Sequence, residues 1–211
     1  MERRRSATST AEGEQSVDRE NPLWVWEDLI RVQIEIADRW LNRGRSADDE
    51  FAKFFFLFSG FNALYFLWTV IDKLRNERGE RPNEGKQIEN LLRHFKEEEA
   101  SEIIDKLSQG VRYFCERNPI QRMDKRSKGN LNEGDPEEGK KWQRRLREDS
   151  SSIDRLVALG EILYLVRSNL VHGSKSVSGD DKEIITASIL PLEVFLEEGI
   201  TMTKTKCPWE S

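Results

Sequence analysis

One short segment of the sequence places an arginine, an amide and one of only two histidines within six residues. It runs from Arg167 through Asn169 to His172, with Gly173 directly after it. An imidazole exchanges a proton near neutral pH, and a guanidinium fork matches two oxygens of a phosphate. Cleaving RNA without a metal requires a base for the 2′-hydroxyl proton, an acid for the leaving 5′-oxygen and a cation beside phosphorus. Asn169 adds a donor and an acceptor in the same turn.

The predicted surroundings of this segment limit how its side chains can act. Arg167 follows Leu163 by four residues and precedes Leu170 by three, which places it within an apolar helical stripe. A buried guanidinium without a partner is costly, so we expect either an acidic partner or a cleft that binds an anion. Five residues on a helix separate two side chains by about 140°. Arg167 and His172 therefore converge only if the helix bends or ends there, or if two copies of the chain share one site.

A basic segment precedes this helix. Residues 117–147 hold ten Lys or Arg against five Asp or Glu, whereas the whole chain has a net charge of -5. Trp142 lies among four of these cations: Lys140, Lys141, Arg144 and Arg145. Cations around an exposed aromatic ring suit single-stranded nucleic acid, because a base can stack on the indole. The alternative interpretation is a solvated loop with Trp142 packed into the core. Lys175, just after the His172 segment, is a further candidate RNA contact.

The pattern of apolar residues predicts an all-α fold. A single domain over 21–200 is expected to carry a charged loop insertion at 117–149, interrupted by Gly129, Gly134, Pro136 and Gly139, although 140–147 is compatible with a helix. Six helices are predicted: 21–44, 46–76, 86–97, 101–115, 150–173 and 182–198. Residues 184–190 also fit a strand. The segments 1–20 and 201–211 are expected to be a disordered arm and a loose tail.

The second predicted helix is apolar on nearly every side between Phe54 and Ile71. A membrane span needs about 20 apolar residues, and this run is shorter and contains Ser59, Gly60 and Asn62. A helix that is apolar all round must be covered all round. We therefore expect the rest of the domain to cover one face and a second copy of the chain to cover the other.

The remaining composition favours a cytoplasmic protein without cofactors. Cys115 and Cys207 are the only cysteines, and with two histidines they do not form a zinc-site or disulfide pattern. They are expected to be reduced thiols. The basic start of the chain is followed by no apolar stretch, so no secretory signal is expected. His94 lies beside an apolar stripe and is expected to be a half-buried or surface residue.

The segment Leu165–Gly173 resembles the R-x4-6-H signature of the HEPN superfamily. The upstream segment Phe61–Tyr65 is similar to the Phe-Asn-Ala-Leu sequence of defence-associated HEPN proteins, and the resemblance covers about residues 25–198. It implies a helical bundle that dimerises and a composite active site at the interface. It also implies metal-independent endoribonuclease activity, as in toxin–antitoxin and antiviral systems. Arg167 and His172 would be catalytic, and Asn169 would support them.

The sequence departs from that pattern at two positions. Ser168 follows the arginine, where many members have Asn, Asp or His. Ser174 stands where the toxins that pair with nucleotidyltransferases have tyrosine, which argues against control by tyrosine modification.

The leading hypothesis is an endoribonuclease that cuts single-stranded or loop RNA and leaves a 2′,3′-cyclic phosphate. It would act as a homodimer, with a possible antitoxin or defence-system partner. The first alternative is a non-catalytic HEPN module that binds RNA or a nucleotide. The second is a structural adaptor in which Arg167 pairs with an internal carboxylate.

Overall fold

The fold is all-helical, as the sequence predicts. The structure is a computed structural model that describes residues 23–76, 82–117, 120, 137–147, 150–171 and 179–207. Within these residues there are eight helices and no strand: α1 (Leu23–Arg45), α2 (Glu50–Asn76), α3 (Glu84–Leu92), α4 (Glu97–Lys106), α5 (Ser108–Glu116), α6 (Glu137–Arg147), α7 (Ser152–Val171) and α8 (Gly179–Lys206). The predicted arm 1–20, the predicted helix start at Asn21 and the last residues, 208–211, lie outside the described residues.

Helix α2 lies at the centre of the fold. It packs against α1, α8 and α3, and three of its aromatic side chains, Phe61, Tyr65 and Trp68, are at most 1% exposed. By length and composition, Glu50–Lys73 could cross a membrane, but 67% of its most apolar window is buried inside the protein. The apolar run of α2 is therefore used largely as core, and burial of this kind is the main favourable term in folding.

Helix α7 is the second buried helix, and it carries Arg167. It packs against α3, α4, α6 and α8. Its residues from Leu156 to Leu163 are all buried, and this run includes the side chain of Glu161, which is 5% exposed. Helix α3 contacts both α2 and α7. Its first residue, Glu84, lies beside Arg167 of α7.

Several predicted helix boundaries are wrong because capping side chains were not recognised. Helix α2 begins at Glu50 rather than Ser46, since Asp49 accepts a hydrogen bond from the amide of Ala52 (2.8 Å). Helix α3 begins at Glu84, two residues before the predicted start, because Asn83 caps the amide of Lys86 (2.9 Å). The predicted helix 101–115 is two helices, α4 and α5, that meet at the fully buried Leu107.

The alternative of a strand at 184–190 is wrong, as is a loose tail at 201–206. The buried positions of α8 recur at helical spacing: Ile184, Ile185, Ser188, Leu192, Phe195 and Leu196. Pro191 lies inside the helix, and these apolar contacts on both sides offset its missing hydrogen bond. At the end of α8, the Thr203 hydroxyl accepts a hydrogen bond from the Trp68 indole (2.9 Å), and Met202 is buried. Polar composition alone does not show such contacts.

The predicted loop insertion 117–149 contains a helix. Helix α6 covers Glu137–Arg147, so Gly139 lies in its first turn and does not interrupt it. A side chain at Gly139 would lie 2.1 Å from the carbonyl oxygen of Ile120, so this glycine allows α6 to approach the backbone that follows α5. Residues 121–136, with their remaining glycines and Pro136, lie outside the described residues.

Candidate active site

Arg167 lies at the meeting point of three helices. Its Nη1 donates to Glu84 Oε2 of α3 at 3.4 Å, and its guanidinium carbon lies 5.7 Å from the ring centroid of Phe58 on α2. The side chain is 30% exposed, so it reaches solvent from a helix that is otherwise largely buried. The expectation of an acidic partner is confirmed: that partner is Glu84.

Tyr65 holds the other oxygen of the same carboxylate. Its hydroxyl donates to Glu84 Oε1, and the ring is 1% exposed. Burial, followed by the hydrogen bond to Glu84, raises the pKa of Tyr65 well above its ordinary range. The hydroxyl is therefore protonated at neutral pH and acts as a donor. The carboxylate is contacted by a neutral donor on one side and by a cation on the other.

The other residues of the predicted catalytic segment are placed differently. His172 and Lys175 lie outside the described residues; α7 is described as far as Val171, which is 51% exposed. Asn169 is 3% exposed, and two residues on a helix correspond to about 200° of rotation from Arg167. The structure therefore does not bring Asn169 to the exposed side of Arg167, and its supporting role stays a prediction.

The predicted RNA contacts lie on α6, with one correction. Trp142 is 6% exposed, so its ring is not offered to a base, and the alternative of a packed indole describes it better. Lys141 Nζ lies 4.2 Å from the indole centroid, and the Arg145 guanidinium lies 5.7 Å from it. Lys140 pairs with Glu137 (2.8 Å), and Arg144 is exposed. Without Trp142, the predicted RNA contacts on α6 are its four cations: Lys140, Lys141, Arg144 and Arg145.

A polar cavity of about 290 Å³ is lined by residues that neighbour Glu84 and Arg167 in sequence, although neither of these two residues lines it. Residues of α3, α6 and α7 line it, among them Lys86, Lys141 and Tyr164. Tyr164 precedes Arg167 by one turn of α7, and the lining residues Asn83 and Gly85 flank Glu84. Gly85 must be small, because a Cβ there would lie 2.8 Å from the Glu161 carboxylate. The cavity also contains Glu89, Glu138 and Glu161, so its lining carries both signs of charge.

The sequence reasoning missed Glu84, Tyr164 and the role of Tyr65. Tyr65 was singled out only as the last residue of Phe61–Tyr65, and nothing in that segment indicated a carboxylate partner. Glu84 lies in a stretch that the glycines and Pro82 marked as a loop, so nothing local indicated a partner for Arg167.

His94 is the histidine that the structure describes, and it contacts Asp72 and Trp68 of α2. Its Nε2 lies 3.1 Å from Asp72 Oδ1, and its ring centroid lies 3.9 Å from that of Trp68. The side chain is 23% exposed, which confirms the half-buried position expected for it.

Comparison of the chain with models of known protein families, with curated proteins and with solved structures finds no match.

Proposed function

We propose that this protein is a metal-independent endoribonuclease that cleaves single-stranded or loop RNA at a site shared by two copies of the chain. The observation that carries the proposal is the position of Arg167. A charged side chain on a largely buried helix reaches the surface, one turn of α7 from Tyr164 and the polar cavity that this tyrosine lines together with two lysines and three glutamates. An RNA phosphate is a ligand that such a guanidinium suits, because its planar fork can donate to two oxygens.

A partly exposed side of α2 supports the two-copy arrangement. Five residues at spacings of three and four form what we call the α2 stripe, and each is exposed or partly exposed: Phe55, Ser59, Asn62, Phe66 and Val70. Asn62 follows Phe58 by one turn and precedes Tyr65 by three residues, so the stripe borders the Arg167 cluster. Pairing of two α2 stripes about a twofold axis would bring two arginines to one interface.

The proposed reaction divides among three roles. Arg167 stabilises the charge that develops on the phosphate. A histidine, His172, removes the 2′-hydroxyl proton as the oxygen attacks phosphorus, and the His172 of the second copy protonates the departing 5′-oxygen. The products are a 2′,3′-cyclic phosphate and a free 5′-hydroxyl.

The test compares cleavage of total RNA in EDTA by the wild-type protein, Arg167→Ala and His172→Ala. Arg112→Ala is the matched control, because Arg112 is 77% exposed and pairs with Glu116 on its own helix. We expect the wild type and the control to release cyclic-phosphate ends and both site variants to release none. Intact RNA with the wild type, or equal cleavage by the site variants, would refute the proposal.

One observation favours a second candidate, a structural helical adaptor. The ion pair between Arg167 and Glu84 is the internal pairing that such a protein would contain. Failure of the wild type to bind RNA at low salt, together with a lower melting temperature for Arg167→Ala, would support the adaptor. RNA binding without cleavage would instead support a non-catalytic RNA-binding module.

A further inference from the structure

Glu84 contacts the guanidinium that the proposed mechanism assigns to the RNA phosphate. Its Oε2 accepts from Arg167 at 3.4 Å, which is longer than the 2.7–2.9 Å of a strong charge-assisted hydrogen bond. Its Oε1 accepts from Tyr65, whose ring is fully packed in the core. The carboxylate is thus anchored firmly on the tyrosine side and contacts the arginine more loosely.

In this geometry two anions, the Glu84 carboxylate and an RNA phosphate, would compete for one cation, Arg167. The Glu84 side chain is 25% exposed and the Arg167 side chain 30% exposed, so an RNA phosphate that reaches Arg167 also comes close to the carboxylate. Like charges at such distances repel, and the repulsion is stronger beside protein than in bulk water. Full occupation of Arg167 by phosphate therefore requires that the Glu84 side chain moves away from the guanidinium.

We propose that Glu84 occupies Arg167 in the substrate-free protein and competes with RNA phosphate for it, while Tyr65 fixes the competing carboxylate. This inference rests on the proposed function, because it regulates the same site. The ion pair between Arg167 and Glu84 then has a role besides stability, because RNA phosphate binds Arg167 only when the Glu84 contact breaks. Removing the charge of Glu84 should therefore tighten RNA binding.

The experiment measures binding of a 2′-O-methyl RNA oligonucleotide, which lacks the attacking hydroxyl, by fluorescence anisotropy at fixed salt. Glu84→Gln keeps the shape of the side chain and an acceptor for Tyr65 but removes the charge. We expect it to bind tighter than the wild type by about tenfold, which corresponds to about 1.4 kcal/mol. In an Arg167→Ala background, the same change should give only the general effect of removing one negative charge, so a double-mutant cycle should show coupling between Glu84 and Arg167.

Glu89→Gln is the matched control, because Glu89 lies on the same helix and lines the cavity, with Lys86 and Arg93 as its ion-pair partners. It reports the general effect of removing one negative charge. Tyr65→Phe is a second variant that keeps the charge and removes the anchor, and it should tighten binding by a smaller factor. Thermal unfolding establishes that every variant is folded.

The outcomes separate this inference from the proposed function. Tighter binding by Glu84→Gln that depends on Arg167 supports the competition, even if no protein cleaves RNA and the nuclease proposal fails. If the wild type cleaves RNA but Glu84→Gln and Glu89→Gln bind the oligonucleotide equally tightly, the competition is refuted and the nuclease proposal stands. Absence of RNA binding by both the wild type and Glu84→Gln refutes both.

Discussion

The side chain of Glu97, the first residue of α4, accepts a hydrogen bond from the backbone amide of Ser152, the first residue of α7. Its second oxygen accepts from the amide of Ile153 at 3.4 Å. The first amides of a helix lack partners within the helix, and a carboxylate also interacts favourably with the positive end of the helix dipole. A residue far away in sequence therefore caps the helix that carries Arg167.

Glu97→Ala should lower the free energy of unfolding by about 1 kcal/mol, because it removes this cap. For a chain of this size, the melting temperature should fall by about 2–4 °C. Glu98→Ala is the control, since Glu98 is an exposed neighbour on the same helix. Circular dichroism melting of both variants checks the prediction; an equal fall in both would show that the contact contributes nothing specific.

Gly139→Ala should destabilise the protein by about 1–3 kcal/mol, because the added Cβ would lie 2.1 Å from a backbone oxygen that cannot move alone. Gly110→Ala is the matched control. Its Cβ would meet no atom closer than 3.4 Å, and alanine is favoured over glycine within a helix. Urea unfolding should show loss of stability for the first variant and unchanged or higher stability for the second. The reverse order would contradict the packing of α6 described above.

Acid should remove part of the stability through Glu89. Burial alone would raise the pKa of Glu89, but hydrogen bonds from Arg93 and Lys86 outweigh it and lower the pKa below its ordinary value of 4.5. A carboxyl group with a lowered folded pKa stabilises the protein above its unfolded pKa, and this contribution is lost as the pH falls through the folded pKa. The melting temperature of Glu89→Gln should therefore fall below that of the wild type at pH 7. The difference should shrink as the pH falls below 4.5 and disappear only below the lowered pKa of folded Glu89. A constant difference at every pH would refute this linkage.

Trp142→Leu should lower stability and leave RNA affinity unchanged within about twofold, because the indole is 6% exposed. If the ring stacked on a base, its loss would cost about 1–3 kcal/mol of binding. Lys141→Ala is the comparison, since Lys141 is exposed and should weaken binding by removing one phosphate contact. Anisotropy titrations at several salt concentrations should show a shallower salt dependence for Lys141→Ala alone.

If two α2 stripes pair as proposed, Asn62→Arg should separate the two copies and abolish RNA cleavage, and the lost pairing should lower the melting temperature while the helices stay folded. Asn62 is exposed at the middle of the α2 stripe, and a twofold contact would place two added cations against each other. Glu102→Arg adds a cation at an exposed position on α4 and should change neither property. Analytical ultracentrifugation and the cleavage assay measure the two properties. A monomeric wild type that still cleaves RNA would exclude the shared site.

The sequence predicted the features that periodicity determines. The apolar spacing of α2 and α7 identified two largely buried helices, and the position of Arg167 within an apolar stripe implied either an acidic partner or a cleft that binds an anion. The identity of that partner was not predictable, because Glu84 comes from a stretch rich in loop-forming residues and meets Arg167 only after α3 has packed between α2 and α7.

Contacts between residues far apart in sequence also explain two wrong predictions, the exposed ring of Trp142 on α6 and the loose tail at the end of α8. The cations around Trp142 favoured an exposed ring, but the indole is buried, with the Lys141 ammonium and the Arg145 guanidinium beside it. Residues near Thr203 are polar, and only the hydrogen bond from Trp68 shows that they belong to the core. Capping and hydrogen bonding across the fold decide these positions, and neither leaves a periodic trace in the sequence.

The last turn of α8 has a practical consequence for anyone who shortens the chain. A protein ending at 198, the last residue of the helix predicted from the sequence, would lack Met202 and Thr203, leaving the Trp68 indole without its acceptor. It would also lose the ammonium group of Lys206, which donates to the carbonyl oxygen of His94. A recombinant version therefore needs its carboxyl-terminal boundary beyond Cys207, and an affinity tag is better fused there through a spacer than placed closer to the core.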